Sequence, residues 1–153
     1  MTPAINALIK SKVTYNVLSY EHDSNNTQFG LEAVDKLKLN APQVFKTLVL
    51  ECNDKTLIAA LTPVSQQVNV KQLAKLCGCK KVMMADVKKV QASTGYILGG
   101  VSPLGQKRTL KTYIHNSAHN FDTIYVSAGR RGLEIALSPH DLITLTHASC
   151  GEF

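Results

Sequence analysis

Lys46 stands in VFKTLVL, Val44 to Leu50, a run that reads as a largely buried β-strand; its neighbours at spacing two, Val44, Leu48 and Leu50, are all apolar. An unpaired ammonium in such surroundings is costly. The lysine therefore either snorkels out from an edge strand or strand end, or is kept inside for a purpose. The second feature is GGVSPLG, Gly99 to Gly105. Its glycines allow close backbone approach to a ligand, and consecutive amides can hold an oxyanion or phosphate; the plain alternative is a tight turn that needs positive φ. No Gly-Lys-Ser/Thr follows, so it is not a Walker A loop, and the spacing is not GxGxxG.

Other chemistry-bearing residues carry less. Cys77-Gly78-Cys79 has no second cysteine pair to complete a structural zinc site, and Cys77 is better explained as core on its helix. His115 and His119 stand in HNSAH, which lacks the glutamate of HExxH, and read as surface or structural. The GxSxG elbow is absent, and no Ser-His-Asp or Cys-His set can be fixed by spacing. Any hydrolysis must manage without an obvious protein nucleophile.

The elements that must position these residues follow from local signals. Thr2-Pro3 opens a helix with Ile5, Leu8 and Ile9 on one face, and Val13 to Tyr20 alternates as a strand. Thr27 is placed to cap a second helix bearing Leu31, Val34 and Leu37. Phe45–Glu51 and Lys55–Thr62 form a hairpin around Cys52-Asn53-Asp54. Asn69 caps a helix stopped by Gly78, Val82–Met84 is a short strand, and Asp86 caps the next helix. Ser93 to Gly105 reads as a shaped loop. Strands follow near Thr109–Ile114, Thr123–Ser127 and Leu133–Leu137, and Ser138-Pro139 starts a closing helix. This order of elements predicts one α/β domain over residues 1–153 with much antiparallel sheet.

The chain has 153 residues, 44% hydrophobic and 6% aromatic, which fits one globular domain and excludes a disordered tail or a fibre. No stretch approaches the roughly 20 apolar residues of a membrane span, and no signal peptide is visible, so the chain is expected in the cytoplasm with its four cysteines reduced. There are 17 Lys and Arg against 11 Asp and Glu, a net charge of +6. Six lysines and a single acid, Asp86, lie between Lys71 and Lys89; Lys107, Arg108 and Lys111 form a second basic group, and Arg130–Arg131 a third. Such fields favour phosphate-bearing partners, and a solvated basic face is the bland reading.

Taken together, Thr2-Pro3-Ala4, Tyr20-Glu21-His22-Asp23, Phe29-Gly30, Phe45-Lys46-Thr47-Leu48, Met84-Ala85-Asp86, Ser93-Thr94-Gly95-Tyr96, the run Gly99 to Lys107 and Thr123-Ile124-Tyr125-Val126-Ser127 resemble the bacterial YbaK family. Its members are free-standing aminoacyl-tRNA deacylases related to the editing domain of prolyl-tRNA synthetase. The resemblance implies an α/β (α+β) fold around a curved, barrel-like mixed sheet flanked by helices. It also implies trans-acting hydrolysis of mischarged Cys-tRNA(Pro), with prolyl-tRNA synthetase as partner and no cofactor or metal. It makes Lys46 the indispensable site residue, assisted by the Gly99, Gly100 and Val101 amides. Tyr20, Phe29, Thr47, Ser102, Pro103, Ser127 and Glu134 would line the substrate pocket. The substrate's own thiol would attack its carbonyl. Lys80, Lys81, Lys107 and Arg108 would then hold the acceptor end of the tRNA. Ala128 and Ala136 depart from the family pattern, standing where a glycine and an acid are common. Two other readings stay open: clearance of another misacylated tRNA such as Ala- or Ser-tRNA, and a non-catalytic module binding a nucleotide or tRNA end.

Overall fold

Three helix starts are made by side-chain caps. Thr2 Oγ1 accepts the Ile5 amide at 3.2 Å and opens α1 (Pro3–Ser11). Asn69 Oδ1 accepts from Gln72 at 3.1 Å before α3 (Val70–Cys77), and Ser138 Oγ from Asp141 at 3.0 Å before α5 (Pro139–Thr146). Each cap satisfies an amide that the first turn would otherwise leave unpaired. Two starts differ from expectation. α2 (Phe29–Leu37) begins after Gln28 without a side-chain cap, because Asn26 Oδ1 takes the Gln28 amide at 2.8 Å and turns the chain past Thr27. α4 (Val87–Thr94) follows Asp86, which forms no cap bond, and runs two residues into the expected loop before Gly95 stops it at φ +80°.

In the computed structural model, which describes residues 1–153, the strands form two sheets. The first has the order β1 (Tyr15–Ser19), β7 (Leu133–Leu137), β6 (Ile124–Arg130) and is antiparallel throughout. The second runs β4 (Val82–Met84), β2 (Phe45–Cys52), β3 (Leu57–Pro63), β5 (Lys111–His115), β8 (Ser149–Gly151). Its first three strands are antiparallel and the β3–β5 and β5–β8 pairs are parallel. The α/β architecture is as expected, but the barrel-like sheet is realised as two sheets not closed into a barrel. A single parallel bridge, Val44 to Tyr125, links their backbones.

The larger core cluster includes Leu8 of α1, Phe45 and Leu61 of the second sheet, Val126 and Ile135 of the first, and Leu142 of α5. It therefore joins the two sheets to the helices at both ends of the chain. A smaller cluster packs Leu73 of α3 against Leu50, Ile58, Tyr113 and Phe153. His115 is buried there, its ring edge-on to Phe153 at 5.6 Å, and is structural as expected. No helix is long and apolar enough to cross a membrane.

Candidate active site

β4 pairs with β2 only over Leu50–Cys52, so the flank of β2 at Lys46 has β3 on one side and no strand of its own sheet on the other. Lys46 thus has edge character within an interior strand. Its side chain is half-buried, faces no carboxylate at ion-pair distance, and borders a cavity of about 320 Å³. The same cavity is lined by Tyr20 at the end of β1, Phe29 at the start of α2, Thr47, Gly99, Val101, Ser127 and Glu134. Eight positions scattered from residue 20 to residue 134 therefore meet in one place.

Phe29 forms the most constrained wall. Arg131 lies over its ring at 4.7 Å, and the same guanidinium donates from Nε to the Leu98 carbonyl at 2.9 Å. His22 packs on it with ring centroids 5.8 Å apart. His22 is in turn fixed by Glu32, whose carboxylate meets Nδ1 at 2.6 Å, accepts the Asp23 amide at 2.8 Å and pairs with Lys36 at 3.0 Å. Burial alone would raise the Glu32 carboxyl, but the Asp23 amide, His22 and Lys36 outweigh it and hold it down to about 2. The Glu21–Asn26 loop is thereby locked to α2 beside the pocket.

On the opposite strands, Ser127 Oγ accepts the Gly129 amide at 3.1 Å, within a bulge where β6 slips against β7 between Ser127 and Arg130. Gly129 adopts φ +107° there, a conformation that favours glycine. No histidine lines the cavity, and although Lys46 and Glu134 do, Ser127 Oγ forms no hydrogen bond with either, so it is not paired with a base as an activated nucleophilic hydroxyl is. Glu134 is 8% exposed, and burial raises its carboxyl from 4.5 to about 8. Burial first, then Glu134 and Glu32, push the Tyr20 phenol up to about 12.

Glu134 yields a pH prediction. Between pH 4.5 and about 8 the folded protein holds a proton there that the unfolded chain has released. Stability should therefore fall as pH rises through that window and level off above it. The span corresponds to a few kcal/mol at most, roughly 1.4 kcal/mol per unit. Glu134→Gln should flatten this dependence, melting higher than wild type at pH 9 and alike near pH 5. Parallel melting curves for the two proteins across pH would refute the assignment.

Other expected site residues lie elsewhere. Gly100 is buried outside the cavity wall; its amide donates to Ile97 O at 2.9 Å, and a Cβ there would stand 2.8 Å from the Arg130 backbone. Ser102 and Pro103 are buried behind the loop, with Ser102 Oγ accepting the Leu104 amide at 3.3 Å. They shape the loop and do not border the pocket. The amides of Gly99 and Val101 have no acceptor within the protein. Lys80, Lys81, Lys107 and Arg108 are exposed and none borders the cavity. Arg130 does line it, though the sequence marks it only as part of a basic pair, and Gln28, Leu31, Val64 and Leu98 are among the further residues of its wall. The two alanines that depart from the family pattern, Ala128 and Ala136, are both buried within β6 and β7, away from the cavity lining.

A fold of this kind, with a lysine-bearing pocket closed by a glycine loop, has close counterparts. The aminoacyl-tRNA editing domain matches residues 29–145, and the chain belongs to that family, whose activity class is aminoacyl-tRNA deacylation. It is 37% identical over 152 residues to an Enterococcus faecalis protein named "Putative Cys-tRNA(Pro)/Cys-tRNA(Cys) deacylase EbsC", covering 99% of this chain and 92% of that one. It is 23% identical over 111 residues to the Bacillus subtilis protein YwhH, covering 72% and 70% of the two chains. Among solved structures, a "putative trans-editing enzyme for prolyl tRNA synthetase" superposes with a TM-score of 0.85 at 20% identity, covering 98% and 93%. A scaffold protein from work on epitope backbone grafting gives a TM-score of 0.87 at 20% identity, covering 99% and 94%. The structural likenesses establish the fold.

Proposed function

We propose that residues 1–153 act as one editing domain that deacylates mischarged Cys-tRNA(Pro) in trans, with prolyl-tRNA synthetase supplying selectivity for the tRNA. The observation that carries this reading is the meeting in one pocket of Lys46 with Gly99 and Val101, two loop residues whose amides are unpaired within the protein. The 37% identity to the Enterococcus faecalis relative supports the choice of amino acid.

An aminoacyl ester is already activated, so its hydrolysis needs positioning and oxyanion stabilisation more than a strong base. In this reading Lys46 orients the ester, and the Gly99 and Val101 amides meet the developing oxyanion. Glu134 receives the substrate's α-ammonium, which would favour its ionised form. The cysteine thiol attacks its own carbonyl: a C–S bond forms, the ester C–O bond breaks, and the thiol proton passes to the departing ribose oxygen. A cyclic thioester leaves and water opens it. Because one methylene is worth only about 1–3 kcal/mol in a pocket, dependence on a thiol rejects Pro-tRNA by chemistry as well as by fit. The exposed cations Lys80, Lys81, Lys107 and Arg108 would hold the acceptor stem through phosphates, without sequence readout. Action on this substrate places the protein in the cytoplasm.

The test is deacylation of Cys-, Ala- and Pro-tRNA(Pro). Rapid loss of the Cys ester alone is the expected result. Loss of the Ala ester instead would keep the reaction and change the substrate, and no loss of any would leave a binding module. Ser127→Ala should retain activity within about tenfold, because a residue that only lines the wall contributes no bond-making step. Trapping an acyl group on Ser127 would overturn the substrate-assisted route.

A further inference from the structure

The Cys77-Gly78-Cys79 segment takes no part in the pocket chemistry. Cys79 follows α3 at the αL turn of Gly78, φ +74°, and its thiol meets that of Cys52 with a sulfur–sulfur separation of 2.9 Å. That is well inside van der Waals contact for two sulfurs and approaches the bonded distance of about 2.05 Å. The backbones around the pair are pinned. The Cys79 amide bonds to Ala74 O at 2.9 Å, Asn53 donates to Lys81 O at 3.0 Å, and Asn53 Oδ1 accepts the Lys80 amide at 3.1 Å. Cys77 lies beside both Tyr113 and Cys79. Cys52 is 4% exposed, whereas Cys79 is partly open to solvent.

We propose that Cys52 and Cys79 are a redox-active dithiol that closes to an intramolecular disulfide on exposure to a low-molecular-weight disulfide such as oxidised glutathione. Access sets the order of events. The Cys79 thiolate attacks one sulfur of the oxidant, the S–S bond breaks, and one glutathione leaves as thiolate. Cys52 gives up its proton to that thiolate and attacks the Cys79 sulfur, expelling the second glutathione. Two cysteine thiols are oxidised by two electrons and one glutathione disulfide is reduced to two thiols. Burial pushes the Cys52 thiol well up, which keeps it protonated until the mixed disulfide stands against it.

The bond would join the end of β2 to the entry of β4, an edge strand paired only over Leu50–Cys52. It would add a covalent tie next to Lys80 and Lys81, which directly follow Cys79 and whose backbones Asn53 already holds in the reduced protein. Lys46 lies at the far end of β2 and is not part of the linkage.

The experiment uses the full-length protein, reduced and then equilibrated with oxidised glutathione. Of its four free thiols, two should be lost. A non-reducing digest should show the Cys52 peptide joined to the peptide bearing Cys77 and Cys79, and Cys77→Ser should leave that link intact. Cys79→Ser should prevent it and leave Cys52 unreactive toward alkylation in the folded state. Cys52→Ala should instead accumulate the glutathione adduct on Cys79. The oxidised protein should melt about 5–10 °C above the reduced one, as closure of a long loop entails. A stable glutathione adduct in wild type, a Cys77–Cys79 bond, or an unchanged or lowered melting temperature on oxidation would each overturn the proposal.

Discussion

Lys46→Ala is expected to abolish deacylation of Cys-tRNA(Pro), lowering kcat/KM by about 10²-fold or more, the loss expected when a group that positions the reacting ester is removed. The fold should survive. Lys46 is half-buried, forms no ion pair, and its backbone pairing with Thr62 does not depend on the side chain. Melting temperatures of mutant and wild type should accordingly agree within the shift that about 0.5 kcal/mol produces. Lys46→Arg should not restore the rate. The planar guanidinium is larger and presents its donors in a fixed fork, whereas the site takes a compact point charge. A Lys46→Ala protein with wild-type turnover would remove this residue from the mechanism and turn attention to Arg130, the other cation of the pocket wall.

How far such a site can be read from the chain depends on whether the deciding interactions are local. Thr2, Asn69 and Ser138 are recognisable as caps because each bonds an amide three residues ahead. Thr27 has the same character and fails, since the Asn26 side chain intervenes and delays the helix to Phe29. β8 is three residues long and exists by parallel pairing with β5, thirty-odd positions away, so no local pattern announces it. The division into two sheets is likewise a matter of long-range pairing.

The site shows the same division. Lys46 stands out because an ammonium in an apolar strand conflicts with local preference, and conflicts of that kind concentrate at functional positions. The glycine loop is visible by composition, but composition does not tell which of its residues face the cavity: Gly99 and Val101 do, while Gly100, Ser102 and Pro103 pack behind. Arg130 and Arg131 are adjacent and alike in sequence. They part at the end of β6, beside its bulge, one lining the pocket and the other lying on Phe29. The Glu32–His22 lock joins residues ten apart across a loop, and only the fold shows that they meet beneath Phe29.

The packing of Phe29 makes Gly99→Ala the second substitution of large effect. Gly99 sits at φ +84°, and a Cβ there would lie 2.6–2.8 Å from three ring carbons of Phe29. The ring has little room to retreat, with Arg131 over it and that arginine tied to Leu98 O. Backbone strain and the clash together should cost about 1–3 kcal/mol of stability. Displacement of the Gly99 amide by even 1 Å should cut kcat/KM on the order of 10²-fold. The two causes separate in a cycle with Phe29→Ala, read by thermal melting because Phe29 itself lines the pocket. If the clash dominates, the double variant should be more stable than the sum of the single losses by about 1 kcal/mol, the size of coupling expected between residues in contact. If strain at φ +84° dominates, the losses should simply add. A Gly99→Ala protein that melts and turns over like wild type would show that the loop relaxes freely. The Gly99 amide would then not be a preorganised part of the oxyanion site.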